Sequence, residues 1–148
     1  MSVAAPTHRP HRLLGLAGVG LVATVAAMAT TTVAAALAGA AGVDFEVPEG
    51  GEVIPLAGFA VVTGVFSVVG VVLAVVLGRF SVRPVERFRW TAVALTAISL
   101  VPPFLVGAAP ATVGALVVLH LVAAAVMIPA LAWGLGRWNR ARDGRVLD

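Results

Sequence analysis

Four long apolar runs, joined by short polar or turn-rich stretches, set the pattern of this chain. The runs are Leu13–Ala41, Ile54–Gly78, Thr91–Ala109 and Thr112–Gly136, and His120 is the one ionisable side chain inside any of them. A helix needs about 20 mostly apolar residues to cross a bilayer, and each run supplies roughly that length. The pattern predicts an all-α, membrane-embedded four-helix bundle with N- and C-termini on the same side. A polar tail at 1–12 precedes spans at 13–41, 54–78, 91–109 and 112–136, and a second tail covers 137–148. A rival reading takes the first run as a secretory signal cleaved near Gly39–Gly42. The apolar part of such a signal is about 7–15 residues, shorter than Leu13–Ala41, so a retained helix is the expected state.

The connectors differ in chemistry. Between the first two runs lies an acidic island with Asp44, Glu46, Glu49 and Glu52, punctuated by Pro48, Gly50-Gly51 and Pro55. Phe45, Val47, Val53 and Ile54 alternate with its acids, so part of it is expected to lie extended on the membrane surface. Arg79–Trp90 is basic, with Arg79, Arg83, Arg87 and Arg89 against Glu86 alone. Gly107–Ala111 is a tight turn containing Pro110. All ten basic residues are Arg, and four spans bring every one of them to the same side. The positive-inside rule makes that side cytoplasmic and the acidic island external. Trp90, Trp133 and Trp138, with Phe80 and Phe88, fall at the inner ends of the spans, where an aromatic belt belongs.

Composition sharpens this picture. The chain is 60% hydrophobic and 11% charged, with mean hydropathy +1.05. A soluble domain needs roughly 25% charged residues, so the bilayer is the expected environment. The absence of Cys excludes disulfides, thiolate metal sites and a Cys nucleophile. The pI near 11.4 does not point to nucleic acid, because the arginines flank apolar runs and do not interleave with aromatics in a stripe.

Polar groups inside the spans are the candidate chemistry. His120, Ser99, Thr63 and Thr31 all fall at mid-depth, about 12–15 Å from the outer end at 1.5 Å rise per residue, and so define a candidate intramembrane polar site. Pro102 and Pro103 lack amide hydrogens and are expected to kink the third helix, freeing the carbonyls of Ile98 and Ser99 near the bilayer middle. Those carbonyls, a hydroxyl of Thr63 or of Thr30–Thr32, or a trapped water are the expected partners of His120. The second run carries small residues at Ala60, Thr63, Gly64, Ser67, Gly70, Ala74 and Gly78. Spacings of three and four put them on one face, suited to close helix packing within the bundle or against a second copy. One His is no metal site, since zinc takes three or four ligands, and the loop acids match no calcium-loop spacing. Neither a catalytic constellation nor a nucleotide fingerprint is present.

The segment Phe45-Glu-Val-Pro48, with Gly50-Gly51, Ile54-Pro55, Gly58-Phe59, Arg83-Pro84 and His120, resembles an uncharacterised family of actinobacterial four-helix integral membrane proteins. The resemblance covers nearly the whole chain; it implies the four-helix topology and carries no activity. The expected function is a non-enzymatic accessory or structural role for a small integral membrane protein. The alternative is a proton-coupled carrier or sensor with its polar site around His120. No cofactor and no metal are expected. The expected partners are the lipid bilayer and a second copy or another membrane protein, with no nucleic acid. The expected location is a bacterial plasma membrane, multi-pass, with both termini cytoplasmic.

Overall fold

The computed structural model describes residues 10–47, 52–105 and 107–143. Helix α1 (Pro10–Ala40) leads through a two-stranded hairpin, β1 (Glu46–Val47) and β2 (Glu52–Val53), into α2 (Leu56–Phe80). Then come α3 (Pro84–Ser99), the single-turn α4 (Pro102–Leu105) and α5 (Pro110–Asp143). Four helical stretches, Leu14–Ala40, Leu56–Phe80, Pro84–Leu105 and Pro110–Arg140, are long and apolar enough to cross a membrane. The fold is a largely helical four-helix membrane bundle. Helices α2 and α5 pack on each other and each also packs on both α1 and α3.

The helix ends follow from local sequence. Gly42 adopts φ +96°, and the Val43 and Gly42 amides donate to the carbonyls of Ala38 and Gly39. This is the Schellman arrangement, which ends α1 and satisfies two of its last carbonyls. Pro84 sits in the first turn of α3, where its missing N–H costs nothing. The helix therefore starts within the connector expected at Arg79–Trp90 and brings Arg87, Arg89 and Trp90 onto its opening turns. At the other end, α5 continues through the tail expected from Arg137 as far as Asp143.

The proline pair breaks the third span. Helix α3 stops at Ser99 and one turn resumes at Pro102. The Ile98 carbonyl is not left free, as it accepts the Val101 amide at 3.1 Å in a tightened turn. By contrast, α5 passes through the single Pro129 without interruption.

The core is built from small residues and close contacts. A Cβ added at Gly20 would lie 2.7 Å from Val71, and one at Gly134 would lie 3.0 Å from Leu16. Gly64 abuts Met28, Gly70 abuts Leu131, and Gly78 abuts the Trp138 ring. With Ser67 and Ala74 buried, the small-residue face of α2 is occupied by α1 and α5 of the same chain. The outward face of α2, with Val61, Val65, Val68, Val72 and Val76, is exposed, as a lipid-facing surface is. Of the aromatics expected in a belt, Phe80, Trp90 and Trp133 are exposed. Phe88 is not among them: it is 1% exposed and sits in the core with Leu131 and Leu135. Pro84 and Phe88, four residues apart on α3, share one buried stripe.

Candidate functional site

Polar side chains concentrate at the acidic loop and in the middle of the bundle. In the loop, the Thr112 hydroxyl, in the first turn of α5, donates to Asp44 Oδ1 at 2.9 Å. The Glu46 amide donates to the same oxygen at 3.3 Å. Phe45, between these two, takes φ +51°, is 4% exposed, and meets the Phe59 ring edge-on with centroids 4.9 Å apart. It packs with Ala35 of α1, Ile54, and Leu116 and Leu119 of α5. The expectation that part of the loop lies extended is met in part: Glu46–Val47 and Glu52–Val53 pair as a short antiparallel hairpin, with Glu46, Glu52 and Val53 exposed. Phe45 departs from it, since the backbone there is left-handed and the buried ring closes the acidic-loop end of the bundle. Glu49 and the tail residues His8, Arg9, His11, Arg12, Arg142 and Arg145 lie outside the described side chains.

The Asp44 carboxyl is held below its ordinary value of 3.8, first by the Glu46 amide and then by the Thr112 hydroxyl, with loss of solvent opposing them. A carboxyl whose folded value is depressed supplies stability that is complete above the unfolded value and vanishes as pH falls through the folded one. Protection of the Glu46 amide from hydrogen exchange should therefore be constant from neutral pH down to about 4 and fall only in stronger acid. Asp44→Asn keeps an acceptor oxygen and removes the titration, so its profile should be flat. An unchanged acid profile in that variant would place the titrating group elsewhere.

In the bundle, Thr31 Oγ1 and Thr63 Oγ1 are 3.1 Å apart, joining α1 to α2. Thr31 also lies 2.8 Å from the Ala27 carbonyl. A hydroxyl has one hydrogen, and the shorter contact takes it, so Thr63 is the donor to Thr31. Helices α2 and α5 run parallel with Gly70 opposite Leu131 and Gly78 opposite Trp138. This register puts His120 level with about Ala60, one turn from Thr63 at 1.5 Å rise per residue. His120 does not join the hydroxyl pair. Its Nδ1 lies 2.8 Å from the Leu116 carbonyl of its own helix. A carbonyl only accepts, so Nδ1 carries the hydrogen.

Nδ1 thus meets its own helix instead of the expected Ile98 or Ser99 carbonyl; the Ile98 carbonyl accepts the Val101 amide, and the Ser99 hydroxyl donates to the Thr96 carbonyl at 2.7 Å. Of the four residues expected to form one layer, the structure bonds Thr31 to Thr63 and leaves His120 and Ser99 on their own helices. Thr24, Thr30, Thr32 and Thr96 likewise donate to carbonyls four residues earlier. Among the described residues, no three His, Asp or Glu side chains lie close enough to hold a metal ion.

The Asp44–Thr112 contact and the Phe45 plug went unread in the sequence. The left-handed turn at Phe45 has no local residue signal, and Asp44 and Thr112 are 68 positions apart. Thr112 two residues after Pro110 did carry a cue, since a hydroxyl in the first turn of a helix is placed to meet a loop carboxylate.

A family model described as a family of unknown function, DUF6069, matches residues 11–137. No curated protein and no solved structure matches the chain.

Proposed function

Since the chain belongs to the DUF6069 family of unknown function, we propose a role for it on its own geometry: a non-enzymatic accessory or structural protein of a bacterial plasma membrane. It spans the bilayer four times with both termini in the cytoplasm. The observation that supports a structural role is where the intramembrane hydrogens go. His120, Thr24, Thr30, Thr32, Thr96 and Ser99 each spend theirs on a carbonyl of their own helix. Thr31 and Thr63 tie two helices together. These are contacts of packing and of backbone satisfaction. The orientation is supported by charge. Arg79, Arg83, Arg87, Arg89, Arg137 and Arg140 cluster at the end where α2 and α5 finish and α3 starts, while Asp44, Glu46 and Glu52 occupy the opposite end. Arginine-rich ends stay on the cytoplasmic side during insertion.

A reporter fused after Gly78 should read cytoplasmic, and one inserted in the acidic loop should read external. The reverse would invert the topology. For the role itself, the purified chain is reconstituted into vesicles containing a pH-sensitive dye, and a proton gradient is imposed. An accessory protein adds no flux over protein-free vesicles. Flux that disappears on His120→Asn would establish a carrier instead, because Asn still donates to the Leu116 carbonyl and so preserves the packing.

A further inference from the structure

Where α2 ends and α3 begins, the chain forms an open cleft of about 450 Å³. Arg83, Arg87, Trp90 and Thr91 line one wall, and Leu77 and Val82 line the other. Three features of this cleft bear on what fills it. Arg87 and Thr91 are one turn apart on α3 and share a side of it, and Arg83, the residue that precedes the helix, lines the same cleft. From Arg83 and Arg87 to Trp90 and Thr91 this wall passes from charge to a hydroxyl and an indole at one level, as a phospholipid passes from phosphate to its glycerol and first acyl carbons. The cleft also lies where two spans leave their apolar stretch, with Phe80, Val82 and Trp90 all exposed beside it.

Glu86 is the one acid in the cleft, and its Oε2 lies 3.6 Å from Arg83 Nη1. Both side chains of that pair are largely exposed, so it is weak. Among the described residues Arg87 has no carboxylate in salt-bridge range. Two arginines and one glutamate leave the cleft with a single net positive charge.

We infer that this cleft binds the phosphate headgroup of an anionic glycerophospholipid, with Arg83 and Arg87 on the phosphate, Thr91 on the glycerol region and Trp90 against the first acyl carbons. Guanidinium donors match phosphate oxygens in a fork geometry that a zwitterionic headgroup partly cancels with its own ammonium group. Selection is therefore for net negative charge. The inference rests on the chain spanning a bilayer and not on which leaflet holds the cleft, so an inverted reporter topology leaves it standing.

The test uses Trp90 as its own reporter. The full chain is reconstituted in phosphatidylcholine vesicles containing a minor fraction of phosphatidylglycerol, with bromine on the acyl chains of one lipid or the other. The difference in emission between the wild type and Trp90→Phe isolates the Trp90 signal. At equal bulk fraction, brominated phosphatidylglycerol should quench Trp90 more strongly than brominated phosphatidylcholine. Arg87→Gln should weaken that preference by about fivefold, the effect of one juxtamembrane arginine, and Arg83→Gln with Arg87→Gln should abolish it. Glu86→Gln should strengthen it, which gives a gain of binding that misfolding cannot mimic. Equal quenching by the two lipids in the wild type overturns the inference. Loss of the preference on adding soluble glycerol phosphate would assign the site to a free phosphate ester in place of a lipid.

Discussion

Phe45→Ala should open the acidic-loop end of the bundle. The ring is almost fully buried and contacts three helices, and removing a buried Phe side chain costs about 3–5 kcal/mol. The backbone adds a second term. Phe45 sits at φ +51°, a region that costs an L-residue roughly 1–2 kcal/mol. Alanine loses the ring and keeps the strain, whereas glycine loses the ring and relieves the strain. Phe45→Gly should thus be the milder change, reversing the usual order of the two. The chain has no native Cys, so a single Cys at Ala35, which is wholly buried beneath Phe45, reports the opening directly. Its labelling by a water-soluble thiol reagent should accelerate by about tenfold or more in Phe45→Ala, in line with the lost contact energy. An unchanged rate would mean that other residues seal this end.

The second large effect is a pair of glycines on α1. A Cβ at Gly20 would stand 2.7 Å from one Val71 methyl and 3.0 Å from the other. Valine in a helix is confined to essentially one rotamer, so Val71 cannot swing aside and the two helices must separate. Gly20→Ala should cost about 1–3 kcal/mol, the range for overpacking a tight core. Gly18, two positions earlier, has nothing within 4 Å of the same added atom. There alanine adds no clash and gains up to about 1 kcal/mol of helix propensity. Unfolding titrations in mixed micelles should give the two substitutions opposite signs. Equal effects would show that α1 and α2 do not meet at Gly20.

These sites also mark what can be read from a linear sequence. The four spans were legible because apolar length is a one-dimensional property, and the small face of α2 was legible because helical spacing fixes which residues share a side. The proline pair announced its break for the same local reason. What escaped was angular or long-range. Phe88 looks like a belt residue by position, and only the rotation of α3 turns it inward. His120 and Thr63 match in depth, but depth says nothing of which way the imidazole points, and a carbonyl one turn away outcompetes any partner on another helix. The Asp44–Thr112 contact depends on the acidic loop folding back over the bundle, which no spacing encodes.

The self-contained hydrogen bonds of α1 bear on how the protein is made. A span whose hydroxyls are already matched to its own carbonyls has no unmet hydroxyl hydrogen to shelter while it waits for neighbours. Helix α1 can therefore leave the translocation machinery singly and rest in lipid as it emerges from the ribosome. The contacts that bridge helices, Thr31 to Thr63 and Asp44 to Thr112, form afterwards. Thr112 belongs to the fourth of these spans, so the Asp44–Thr112 contact closes the acidic-loop end only after the three spans before it have been made.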